Sequence, residues 1–142
     1  MLAGCGGLPS LDDLKALPEA GLAPPGATHI YHTANPRENT IEGPIPAILG
    51  DVFGVQMSPD ELYAWYDREL EARGWQSGEI VARTTAEDAA RGWRKGDVVI
   101  RVAVIRKGDP RTPAASLVDR YETIFEIDLI AEPRRSFAPI PT

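Results

Sequence analysis

One cysteine, two histidines and two methionines are all that this 142-residue chain offers in the way of sulfur and imidazole. A single cysteine excludes an internal disulfide framework and any multi-cysteine zinc or iron–sulfur site. Positive charge is also scarce: 15 Lys and Arg stand against 21 Asp and Glu, for a net charge of -6. That balance argues against general nucleic-acid binding, which needs a basic footprint to displace counterions from phosphates. No apolar run approaches the roughly 18 residues of a membrane span. A Gly-x-Ser-x-Gly elbow, a glycine-rich phosphate loop and EF-hand spacing are all missing. Gly74-Trp75-Gln76-Ser77-Gly78 has the wrong register for such an elbow and follows a helix instead of a strand. What remains is an ordinary globular composition, 43% hydrophobic and 25% charged, with 13 Gly and 13 Pro that foretell long connections. The length corresponds to one domain.

The lone cysteine gains weight from its neighbours. Leu2-Ala3-Gly4-Cys5 resembles the lipobox of bacterial lipoproteins. The resemblance implies cleavage before Cys5, diacylation of its thiol, and a membrane-lipid partner on the outer side of the cytoplasmic membrane. Two acyl chains hold a protein at a membrane without a spanning segment. Gly6, Gly7, Pro9, Pro18, Gly21, Pro24, Pro25 and Gly26 interrupt the stretch after the cysteine, so residues 1–26 read as the lipobox-like segment and a tether. Within them Ser10 caps a short helix that Pro18 stops, and its apolar stripe of Leu11, Leu14 and Leu17 reads as packed on its own domain, with docking on a partner as the alternative.

Residues 27–132 read as a single α+β domain and 133–142 as a loose tail. Thr28–Thr33 has strand composition, and a loop longer than compact domains usually carry follows from 34 to 50. A second strand, Asp51–Met57, puts Phe53, Val55 and Met57 on one face. The clearest element is a helix over 59–73. Ser58 is its N-cap, Pro59 its first residue, and Glu61 completes a capping box. Leu62, Trp65, Tyr66 and Leu70 form its apolar face, Glu69 and Arg73 pair along the rim, and Gly74 ends it. Strands at Glu79–Arg83 (resuming at Trp93-Arg94 after a capped turn at 85–90), Val98–Ile105 and Tyr121–Ala131 complete the domain. Lys95-Gly96-Asp97 makes a hairpin turn, and 106–119 is a second long loop. In the last strand Tyr121, Thr123, Phe125, Ile127 and Leu129 face one way, Glu122, Glu126 and Asp128 the other. The predicted architecture is an antiparallel sheet of four to five strands with one main helix on one face, in the order β-β-α-β-β-β. Pro-Pro-Gly-Ala at 24–27, Ser-Pro-Asp-Glu-Leu-Tyr-Ala-Trp-Tyr at 58–66 running into Arg-Gly-Trp at 73–75, and Trp-Arg-Lys-Gly at 93–96 resemble the small α+β domain of many bacterial lipoproteins. That resemblance brings no catalytic residues with it.

The search for chemistry yields candidates without a constellation. His29 and His32 stand three apart in a strand, which directs them to opposite faces and denies them a shared metal ion. Glu122, Glu126 and Asp128 read as the watered face of a half-buried sheet, opposite Arg101, with ordinary acidity. Trp93-Arg94-Lys95 at a hairpin tip is one aromatic–basic triplet in an acidic chain. The expectation is therefore no enzyme, no cofactor and no metal.

A different signal lies on the second sheet face, which carries Val99, Ala103, Ile105, Ile124 and Ile130 among its charges. One helix covers only one face, so these side chains need the tether, the loop at 34–50 or another protein to cover them. As a partner-binding surface the set comprises Val99, Arg101, Ile105, Ile124, Glu126, Asp128 and Ile130, with Ile45 and Ile48 from the loop. The leading expectation is a lipid-anchored, extracytoplasmic, non-enzymatic accessory protein of the cell envelope that binds a membrane-associated protein. The alternative is a small-ligand or lipid-binding lipoprotein, its pocket between helix 59–73 and loop 34–50 and lined by Phe53, Trp65 and Tyr66.

Overall fold

The computed structural model of the chain describes residues 8–78, 90–105 and 119–133. The strand expected at 79–83, the turn at 85–90, most of the loop at 106–119 and the tail from 134 lie outside these residues.

The chain order is α1 (Leu11–Lys15), β1 (Thr28–Asn35), β2 (Glu38–Thr40), β3 (Gly43–Ile45), β4 (Ile48–Val55), α2 (Pro59–Ala72), β5 (Gln76–Ser77), β6 (Arg91–Lys95), β7 (Val98–Val104) and β8 (Thr123–Ala131). An antiparallel six-stranded sheet in the order β1-β4-β8-β7-β6-β5 forms the body, and β2 and β3 make a separate two-stranded sheet. The α+β class and the antiparallel sheet are as expected. The strand count is higher, because Gln76-Ser77 pairs with Trp93-Arg94 as an edge strand and the 34–50 segment carries strand structure of its own.

That segment is the distal part of one long β arm. Pairing of β1 with β4 runs from Thr28↔Gly54 to Asn35↔Ile48. Pro36 and Pro46, which have no N–H to give to a ladder, interrupt it there. Pairing resumes as Glu38↔Ile45, Asn39↔Pro44 and Thr40↔Gly43 around a turn at Ile41-Glu42.

Helix α2 forms as its sequence dictates. The Ser58 side chain accepts from the Glu61 amide at 3.2 Å while the Glu61 carboxylate accepts from the Ser58 amide at 2.9 Å, with Pro59 opening the first turn. At the other end Gly74 (φ +91°) turns left-handed, so that its amide donates to Glu71 O and the Trp75 amide to Leu70 O. The buried stripe is Leu62, Tyr63, Tyr66 and Leu70. Trp65, expected on this face, is only partly buried, and Tyr63 is buried in the stripe instead. The helix lies on Trp93, Ile100, Val102, Phe125, Ile127 and Leu129, which form one core with Leu49, Phe53 and Val55 of β4.

The stretch read as a tether is packed onto this core from α1 onward. Leu14 is fully buried in it, Leu11, Leu17, Leu22 and Ala23 pack against the same core, and Glu19 is buried and receives Arg73 Nη1 at 3.4 Å. The leucine stripe of α1 thus finds its apolar partner on the domain itself, as expected.

Candidate functional site

The second sheet face is not the open surface that the sequence implied. Val99, Ala103, Ile105, Ile124 and Ile130 are buried, and so are Arg101 and Asp128. Glu126 and Ile48 are half-buried, and only Ile45 of the nine expected contact residues is exposed. Part of the cover comes from Ile30 and Tyr121, which pack on Val52, Ile105 and Ile124. Tyr121 itself lies on this side, not on the helix side, because it precedes the regular strand and is free of its alternation. Its ring crosses directly over Gly54, where a Cβ would collide with it.

The charges of this face are also not a watered row. Arg101 Nη1 donates to Asp128 Oδ2 at 3.2 Å, and both groups are buried. Burial pushes the Asp128 carboxyl well above the usual carboxylate range. The charge of Glu126 and a hydrogen bond with it push the same way, and Arg101 pulls it back. Gly50 makes room for the group: a Cβ there would stand 2.7 Å from Asp128 Oδ1, 2.8 Å from Thr33 Oγ1 and 3.2 Å from Glu126 Oε2. The expectation of ordinary acidity fails at Asp128 because the strand is covered on both sides.

The other expected site residues have structural partners. Trp93 is fully buried and its Nε1 donates to Asp67 Oδ1 at 2.9 Å. Arg94 is buried and donates to the carbonyls of Gly96 and Glu132, and Lys95 Nζ reaches the Arg73 carbonyl at 2.8 Å, at the end of α2. Phe53 stacks on Phe125 with ring centroids 5.6 Å apart, and Tyr66 is buried with its hydroxyl donating to Leu22 O at 2.6 Å. Phe53 and Tyr66 thus fill the core. A cavity of about 380 Å³ lies at the opposite sheet edge, among Asp67, Ser77, Arg91 and Trp93.

The histidines give the largest departure from expectation. Along β1, His29 pairs with Phe53 and Tyr31 with Val52, so two steps on β1 match one step on β4. This β-bulge at Ile30 reverses the alternation, and His29 and His32 emerge on the same side. There they meet one carboxylate. His29 Nε2 lies 2.9 Å and His32 Nδ1 2.8 Å from the same Asp51 Oδ1. The rings are about half exposed, at 48% and 45%, while the Asp51 side chain is 10% exposed. Asp51 stands between Leu49 and Phe53 on the helix side, close enough that its charge adds to burial in holding the Tyr66 hydroxyl well above the usual phenol range. The His29 ring sits edge-on to Phe53, 5.2 Å between centroids at 74°, which fixes its plane. Nothing in Thr-His-Ile-Tyr-His-Thr marks the bulge, since it uses neither glycine nor proline.

The fold and its sites define a small α+β domain built on a six-stranded antiparallel sheet. Compared with protein families, curated proteins and solved structures, the chain matches none. Among the described residues no helix is long and apolar enough to cross a membrane.

Proposed function

We propose that the chain is a lipid-anchored, extracytoplasmic, non-enzymatic accessory domain of the bacterial cell envelope that binds a membrane-associated protein. The likeness of Leu2-Ala3-Gly4-Cys5 to a lipobox supports the anchor. The observation that carries the binding role is the β2–β3 hairpin. Ile41 at its turn is completely exposed, and Ile45 is 43% exposed on the neighbouring strand. Single exposed apolar residues are ordinary, but Ile41 at the turn and Ile45 at the base of the same hairpin are two on a short arm whose strands are otherwise polar or bear glycine and proline. Contact therefore moves from the sheet face, now covered, to the far end of the 34–50 segment.

Mass spectrometry of the protein extracted from membranes tests the anchor. A diacylated Cys5 with nothing preceding it is the expected result, and an intact Met1 with a free thiol in the cytosolic fraction overturns it. For the binding role, a partner recovered in mild detergent with the native chain is expected to be lost with Ile41→Asp; equal recovery overturns the hairpin as the contact. If a small molecule is held instead, the cavity at the β5–β6 edge offers room for it, and a co-purified ligand would decide for that reading.

A further inference from the structure

We infer that His29, His32 and Asp51 form a binding site for a borderline divalent transition-metal ion, with Zn²⁺ as the reference ligand. The two imidazole nitrogens and the carboxylate oxygen all lie within 4.8 Å of one another. Two imidazoles and one carboxylate are the donor set of three-ligand zinc sites, which keep a fourth position for water or an exogenous group. In a tetrahedral site with metal–ligand bonds of 2.0–2.1 Å the donors stand about 3.3 Å apart. The observed separations of 2.9 and 2.8 Å from Asp51 Oδ1 are a few tenths of an ångström shorter. Both rings are about half exposed, so rotation about their side-chain bonds can adjust the donor spacing.

The surroundings suit capture of an ion from solution. Both imidazoles reach water, so an ion has an entry path, while Asp51 is held in the wall of the core and presents one oxygen to both rings. Phe53, edge-on to His29, restricts that ring, as a supporting group does at a metal site. The bulge supplies the second argument. Without it the pair could not share a ligand; with it, an exposed edge strand places both its histidines over the one acidic residue of the neighbouring strand. A purely structural role is a clasp in which each ring donates one hydrogen bond to Asp51.

The chain has only these two histidines, so imidazole resonances of the full-length protein report directly on the site. Titration of metal-free protein with Zn²⁺ is expected to move both sets of ring signals together, saturate at one equivalent and raise the melting temperature. Groups that merely support a ligand contribute about 10–100-fold to metal affinity, so His32→Gln is expected to weaken binding at least as much. That residue is exposed and lies outside the core; Asp51→Asn gives the same loss if the variant remains folded by circular dichroism, and His32→Gln decides if it does not. Cys5→Ser is expected to bind as the native chain does. The proposal is overturned if neither ring or only one responds, if His32→Gln binds as tightly as the native protein, or if Cys5→Ser abolishes uptake. None of these outcomes depends on acylation or on the hairpin.

Discussion

The two faces of the sheet are both buried, yet they are built on different principles. The α2 face is dry and aromatic: Trp93, Tyr66 and Phe125 are fully buried, and two of the polar atoms that reach it, the Tyr66 hydroxyl and Trp93 Nε1, donate to Leu22 O and Asp67 Oδ1. The second face has a small apolar cluster of Val52, Ile105 and Ile124, and beside it an arginine and carboxylates held by one another. The first face gains its stability from apolar area removed from water and from packing. The second gains less from area and depends on charge compensation, where removing one partner leaves another buried and unpaired. Equal burial therefore does not mean equal tolerance.

The largest effect is expected on the dry face. Phe125→Ala removes a ring that stacks on Phe53 and meets Tyr66 edge-on, and should cost about 3–5 kcal/mol in urea unfolding, with little dependence on pH. Arg101→Met tests the other face. Breaking a buried ion pair costs about 3 kcal/mol at neutral pH, and here the loss should change with pH. Asp128 already titrates above its unfolded value, so the folded chain holds a proton that the unfolded chain releases from about pH 3.9 upward. Stability from this group therefore falls as pH rises through that window. Without Arg101 the folded value climbs further, the fall extends to higher pH, and the variant should recover stability on acidification. A pH-independent cost would erase the contrast between the faces. The smallest effect belongs to Gly54→Ala, which drives a methyl group into the Tyr121 ring on the second face; overpacking of this kind costs about 1–2 kcal/mol, and Tyr121→Ala should relieve it.

How much of this is legible in the chain depends on the range of the interaction. Ser58, Pro59, Glu61 and Gly74 announce α2 because caps are made within a few residues of themselves. The alternation of Phe125, Ile127 and Leu129 places β8 correctly for the same reason. Tyr63 against Trp65 is a choice between nearby positions on one helix, and only the angle at which α2 meets the sheet settles it. The leucine stripe of α1 points to packing on its own domain, and Leu14 docks there; the prolines and glycines around it interrupt local structure without saying where a tether would end. At the histidines the period of two is the right rule applied to a strand that breaks it, and the bulge has no local signature.

Local sequence determined the helix termini, the Gly96 turn between β6 and β7 and the apolar alternation of the central strands, since each is a matter of backbone stereochemistry or of side chains a few residues apart. Only the tertiary structure decided that the second face is covered, that the Asp128 carboxyl is pushed above its ordinary range, and that His29, His32 and Asp51 share one oxygen. Those outcomes join residues some 20 or more positions apart, and their energies depend on what else excludes water from the same place.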